Sequence, residues 1–198
     1  STLWSIGIPV LYLDGIPNSF PRAAGFAFRE HDTYAVVLSH KHKSPSTQLF
    51  ILLHEVGHIV SGHLQYDGVI ADETLPELGE SLRNDKDAQE IEADEFALNV
   101  LWQGHEIIST IQKNGRLQRP GELALKAKVM QRDYGVNAGH YVLSYGRETN
   151  DWLLAQQALR FVETADARET LKSQYTTSIK DMSLRRDDSE FLSSIQAL

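Results

Sequence analysis

His54-Glu55-Val56-Gly57-His58 places two imidazoles four residues apart, with a carboxylate directly after the first. On a helix, positions i and i+4 share one face about one turn apart. Two imidazoles on that face suit two corners of a tetrahedral zinc. Glu55 then stands beside the open fourth position, where its carboxylate takes a proton from an attacking water. The pattern predicts metal-assisted hydrolysis, with His54 and His58 as ligands and Glu55 as the catalytic base. Gly57 adds a second message. A glycine inside a helix costs roughly 1 kcal/mol against alanine, so its presence implies that another backbone approaches the site closely.

A site of this kind needs a third protein ligand. The longer metzincin pattern would put a histidine at position 64 and a glycine at 61, but these are Leu64 and Ser61. His63 is one residue short and reads as a surface histidine or one that supports a ligand. The segment Glu90-Ile91-Glu92-Ala93-Asp94-Glu95-Phe96-Ala97 offers four carboxylates instead. On a helix, Ala93, Phe96, Ala97, Val100 and Leu101 mark the buried stripe. Glu90 falls on that stripe and Asp94 flanks it, whereas Glu92 and Glu95 point to the other side with Asn99. A buried carboxylate needs a partner, and this geometry favours Glu90 over Glu92 as the third zinc ligand. Asp94, one turn on, is placed to accept the free ring N–H of a ligand histidine. The developing oxyanion also needs a donor. His140, Tyr141, Tyr134 and His105 are the candidates.

The elements that must hold these residues come in a simple order. Residues 6–13 read as a strand ending at the turn Asp14-Gly15, and residues 16–25 as a loop. Ala24–Phe28 and Tyr34–Ser39 are the next strands, followed by a polar loop, His40–Pro45. Ser46-Thr47 opens a helix, with Leu49, Leu52, Leu53, Val56, Ile59 and Val60 as its buried stripe and Gly62 as its stop. Residues 62–85 are rich in Asp, Glu, Gly and Pro and read as a loop or lid. A second helix spans about Lys86 to Trp102. The remainder reads as helical, punctuated by Asn114-Gly115, Arg119-Pro120-Gly121, Gly135 and Gly146, with Asp151 and Asp166 as N-caps.

Strands first and helices after predict an α+β fold. A small N-terminal sheet packs on the zincin-like HExxH helix and the Glu-bearing helix, and an all-helical C-terminal region follows. The expected division is a metallopeptidase core over 1–115 and a helical region over 116–198, packed on or appended to it.

Composition excludes several other functions. The 198 residues carry no cysteine, which rules out disulfides and thiolate metal sites and fits a reducing cytoplasm. The formal net charge of −8 is the wrong sign for a general grip on nucleic acid. No 18-residue apolar run is present, so no membrane span is expected. Ser1-Thr2-Leu3-Trp4 does not read as a signal peptide. The absence of an initiator methionine implies processing or a longer parent chain.

The two metal-ligand segments together resemble the ImmA/IrrE family of zinc metallopeptidases. The resemblance rests on the strand Val36-Val37-Leu38-Ser39, the run Phe50-Ile51-Leu52-Leu53 leading into His54–His58, and the Glu90–Ala97 helix. It covers roughly residues 6–102 and extends more weakly to Tyr134–Gly139. It implies Glu90 as third ligand, in agreement with the helical geometry. Two departures stand out. The family's asparagine is Asp94 here, and its Leu-Leu-Met-Pro ending is Asn99-Val100-Leu101-Trp102-Gln103, which implies a differently built substrate groove. The resemblance also implies a protein substrate such as a helix-turn-helix repressor, cleaved to release a stress response or a mobile element. No DNA-binding segment is visible in the chain itself. Two other classes compete: a metallopeptidase-like domain that senses metal or grips a regulator without cutting, and a helical interaction module that binds no metal.

Overall fold

The computed structural model describes residues 2–13, 24–39, 42–71, 88–103 and 105–181. A short helix α1 (Thr2–Ser5) precedes β1 (Val10–Leu13), β2 (Gly25–Glu30) and β3 (Thr33–Ser39). Then follow α2 (Pro45–Val60), β4 (Gly68–Ala71) and α3 (Ala88–Trp102). The rest is helical: α4 (Ile107–Asn114), α5 (Pro120–Tyr134), α6 (Ala138–Thr149), α7 (Trp152–Val162) and α8 (Ala167–Asp181). This is the expected α+β arrangement. The expected turn at Asp14-Gly15, most of the 16–25 loop, residues 72–85 of the expected lid and the expected helix start at Lys86 lie outside the described residues.

The strands form one mixed sheet in the order β1-β3-β2-β4. β1 runs parallel to β3, with Val10 opposite Val36, and β2 is antiparallel to both β3 and β4. β2 and β3 form a hairpin through His31 and Asp32, with His31 at φ 55°. Strand β4 falls inside a stretch expected to lack regular structure. It is only four residues long, and its β-branched pair Val69-Ile70 is drawn into the sheet by pairing with β2. Arg29 of β2 steadies the approach to β4 by donating from Nη1 to the Leu64 and Gln65 carbonyls.

Helix α2 starts one residue earlier than Ser46. Ser44 caps it by accepting the Thr47 amide at 3.1 Å, and Pro45 fills the first helical position, where a missing N–H costs nothing. Its buried face also differs from the expected apolar stripe. Leu49 and Val60 are 41% and 62% exposed, while Gln48, Ile51, His54, Glu55, Val56 and His58 are buried. The reason is packing on several sides: α2 lies against β2, β3, α3 and α6. Partnered polar groups therefore face inward. Gln48, for example, donates from Nε2 to the Ser39 and His42 carbonyls.

Two apolar clusters organise the core. One joins sheet and helix through Tyr12, Val36, Leu38, Ile51 and Val56, and Tyr175 of α8 belongs to it. The other lies among α4 to α7 and includes Ile111, Leu123, Tyr141, Tyr145 and Leu159. Trp102, at the end of α3, packs on this helical cluster and donates its indole N–H to Ser144 Oγ at 3.0 Å. The α3 terminus is thus anchored into the helices. Asp151 caps α7 by accepting the Leu154 amide, as expected, and Asp166 accepts the Arg168 amide at the start of α8.

Candidate metal centre

The centre forms where α2 and α3 meet. A Cβ on Gly57 would stand 3.0 Å from both the Cα and the carbonyl oxygen of Ala93. The glycine is what permits this approach. His54 and His58 flank Gly57 on α2, and Glu90 and Asp94 flank Ala93 on α3. The close contact therefore draws four functional side chains to one place.

His54 Nε2 lies 3.1 Å from His58 Nε2. Glu90 reaches both rings, with Oε2 at 3.3 Å from His54 Nε2 and Oε1 at 3.4 Å from His58 Nε2. Ligand bonds of about 2.0–2.1 Å at tetrahedral angles require donor atoms about 3.3–3.4 Å apart. The ring nitrogens and the Glu90 carboxylate lie near that spacing, one oxygen toward each ring, and together the three residues can hold a metal ion. The donor set is nitrogen and oxygen only, which suits a borderline divalent cation.

The electrostatics favour one positive charge at this point. Burial alone would lower the His54 pKa, but hydrogen bonds to Asp94 and Glu90 and the nearby carboxylates outweigh it, holding the group at about 10. Burial, followed by the charge on His54, pushes His58 down to about 4. Asp94 accepts from His54 Nδ1 at 3.0 Å, so the neutral ring, the form that can bind a metal, carries its lone pair on Nε2, toward His58 and Glu90.

Helix α3 is rotated slightly from expectation. Asp94 is 2% exposed and fully inside, whereas Glu90 is 25% exposed at the rim and Val100 faces outward. Arg147 of α6 partners the buried carboxylate, its Nη2 3.1 Å from Asp94 Oδ2. That guanidinium offsets the burial of the carboxylate. Sequence reasoning missed Arg147. The one available signal was indirect: a buried Asp94 with only a histidine partner needs a further cation.

Glu55 is 1% exposed and lies against β2. A Cβ on Gly25 would stand 3.1 Å from Glu55 Oε1 and 2.7 Å from Ile51 Cγ2. Gly25 therefore makes room for the carboxylate, a role its place in a strand did not reveal. His63 is not a loose surface residue: its ring meets His58, Nδ1 to Nδ1, at 2.9 Å.

The expected oxyanion candidates have contacts of their own. Tyr141 sits in the helical cluster, with Asn114 Nδ2 donating to its hydroxyl. His140 is buried in the first turn of α6, next to Gly139, which abuts Ser46 at the opposite end of α2 from His58. His105 and Tyr134 pack on each other, ring edge to ring face.

Comparison with curated proteins gives no match. The sequence model of the Peptidase M78 family, described as the IrrE N-terminal-like domain, matches residues 5–132. The match covers more than half of the chain, from before β1 into α5, and takes in the four strands and both metal-ligand helices. With that span and this donor geometry in agreement, the chain belongs to the IrrE N-terminal-like family of peptidases.

Proposed function

We propose that the chain is a zinc-dependent metalloendopeptidase that hydrolyses a peptide bond in a regulatory protein, such as a helix-turn-helix transcriptional repressor. His54, His58 and Glu90 hold the zinc. The carrying observation is the convergence of those three residues, whose ligand atoms all lie within 4.8 Å of one another, with Glu55 buried one residue from a ligand.

When bound, zinc supplies Lewis acidity, lowering the pKa of a coordinated water toward roughly 7 and polarising the scissile carbonyl. The chain's own residues do the rest. Asp94 fixes the His54 ring through Nδ1, and Arg147 holds Asp94. Glu55 accepts a proton from the attacking water on a carboxylate oxygen and delivers it to the leaving amine nitrogen. β2 shields that carboxylate from bulk water at Gly25.

Part of this reading is a core over 1–115 with the helical region 116–198 packed on it. The placement of α6 against α2, and of Tyr175 in the sheet cluster, supports that packing. A cytoplasmic setting fits the cysteine-free sequence. Among the described residues, no helix is long and apolar enough to cross a membrane.

Glu55→Gln separates cutting from mere binding. The variant retains zinc and loses proteolysis of a candidate repressor, followed by mass spectrometry. Full cleavage by Glu55→Gln would remove the proposed base. Intact substrate with wild-type protein and zinc, across a panel of repressors, would favour the non-cleaving, metal-sensing alternative.

A further inference from the structure

Past the end of α2 the chain folds back on itself. Gly62 takes φ 73°, its N–H donates to the Ile59 carbonyl at 3.2 Å, and the His63 N–H donates to the His58 carbonyl at 3.0 Å. This pair of bonds is the Schellman arrangement of a helix C-terminus. It returns residue 63 to the level of residue 58. The two rings meet edge to face with centroids 5.0 Å apart, and their Nδ1 atoms are 2.9 Å apart. On its far side, His63 Nε2 lies 3.2 Å from Glu92 Oε2 of α3.

The direction of donation follows from the carboxylate end. An ionised carboxylate only accepts, so His63 Nε2 carries the hydrogen. A neutral imidazole has one N–H, which leaves a lone pair on His63 Nδ1. His58 Nδ1 must then be the donor, and the lone pair of His58 is on Nε2. That is the atom facing His54 and Glu90.

We propose that His63 and Glu92 form a positioning relay, in which Glu92 sets the tautomer of His63 and His63 fixes the ring and tautomer of His58 as a metal ligand. The relay rests on the zinc reading given above. It is the counterpart of Asp94 acting on His54, with one difference. Asp94 is buried and acts directly, whereas Glu92 is largely exposed and acts through an imidazole. Glu92, passed over as a ligand, thus has a role one layer further out.

The test measures zinc affinity of the full chain by chelator competition for wild type, His63→Ala, Glu92→Ala and the double variant. Partners of ligand histidines change metal affinity by about 10–100-fold, so His63→Ala weakens zinc within that range. Glu92→Ala weakens it less, and the double variant is no weaker than His63→Ala alone, because Glu92 acts through His63. Nitrogen-15 spectra of the zinc-loaded wild type show His63 protonated on Nε2 and His58 on Nδ1. This measurement needs no variant to fold. Losses that multiply in the double variant, an affinity within about twofold of wild type for His63→Ala, or a proton on His63 Nδ1 would each overturn the relay. His58→Ala and Glu90→Ala separate the two ideas. If they lose zinc while His63→Ala keeps it, the relay alone fails. If the wild type binds zinc no better than these two variants, the zinc site itself fails, and the relay with it.

Discussion

Gly57 and Ala93 touch backbone to side-chain position, and the metal centre is built around that contact. A Cβ on Gly57 would lie 3.0 Å from Ala93 Cα, closer than a β-carbon ordinarily comes. Gly57→Ala therefore forces α2 and α3 apart by a few tenths of an ångström. The expected cost is about 1–3 kcal/mol of stability, as for other overpacked cores. Zinc affinity falls with it, because the ligands straddle the contact. Urea unfolding with and without zinc reads both effects. An unchanged affinity in a stable Gly57→Ala variant would show that the helix spacing does not set the site.

The Asp94 carboxylate connects His54 to Arg147. Asp94→Ala is expected to weaken zinc by about 10–100-fold. Arg147→Ala leaves Asp94 buried with one partner fewer and costs about 1–3 kcal/mol of stability, with a smaller effect on zinc. Chelator competition and thermal unfolding distinguish the two. Equal loss of zinc in both variants would mean that Arg147 acts on the metal centre as strongly as Asp94.

His140 makes acid stability measurable. Burial lowers its pKa to about 4 in the fold, against 6.5 when exposed, with Glu163 opposing part of the shift. The folded state therefore favours the neutral ring. Its contribution is full above pH 6.5 and is lost as pH falls toward 4. At pH 5 the loss amounts to roughly 2 kcal/mol. His140→Phe removes that component. Its stability should fall less between pH 7.5 and pH 5 than that of the wild type; parallel pH profiles would contradict the assignment.

Gly62→Ala places a side chain where φ is 73°. The left-handed conformation costs a non-glycine residue roughly 1–2 kcal/mol. The same change loosens the return of the chain to His58, so zinc affinity falls alongside stability. A variant that unfolds earlier but holds zinc as tightly as wild type would mean that His63 keeps its place without this cap.

The candidate site was legible where it depends on local spacing. His54, Glu55 and His58 declare themselves within five residues, and one turn of α3 separates Glu90 from Asp94. The β-branched, apolar run Tyr34–Ser39 likewise gave β3. What escaped depends on tertiary partners. β4 exists through pairing with β2, and Leu49 and Val60 face outward because neighbours on several sides of α2 bury its polar face. Arg147 is fifty-three positions from Asp94, and no periodicity reaches that far. Gly25 carries no sign of the carboxylate that it accommodates. For His63 the sequence left a surface and a supporting place open, because its one-residue offset from a ligand pattern looks like a miss; the helix cap converts that offset into contact with His58.

The stretch shared with the family ends at residue 132, but the structure does not come apart there. Arg147 reaches back to the carboxylate behind His54, and Tyr175 fills the cluster beneath the sheet. Homology and cooperativity thus have different boundaries in this chain. A fragment trimmed to the shared stretch would keep His54, His58 and Glu90 and lose the cation paired with Asp94 behind His54. Its binding site would be intact on paper and loose in solution. The helices that are least recognisable in the sequence thus brace the recognisable part through Arg147 and Tyr175.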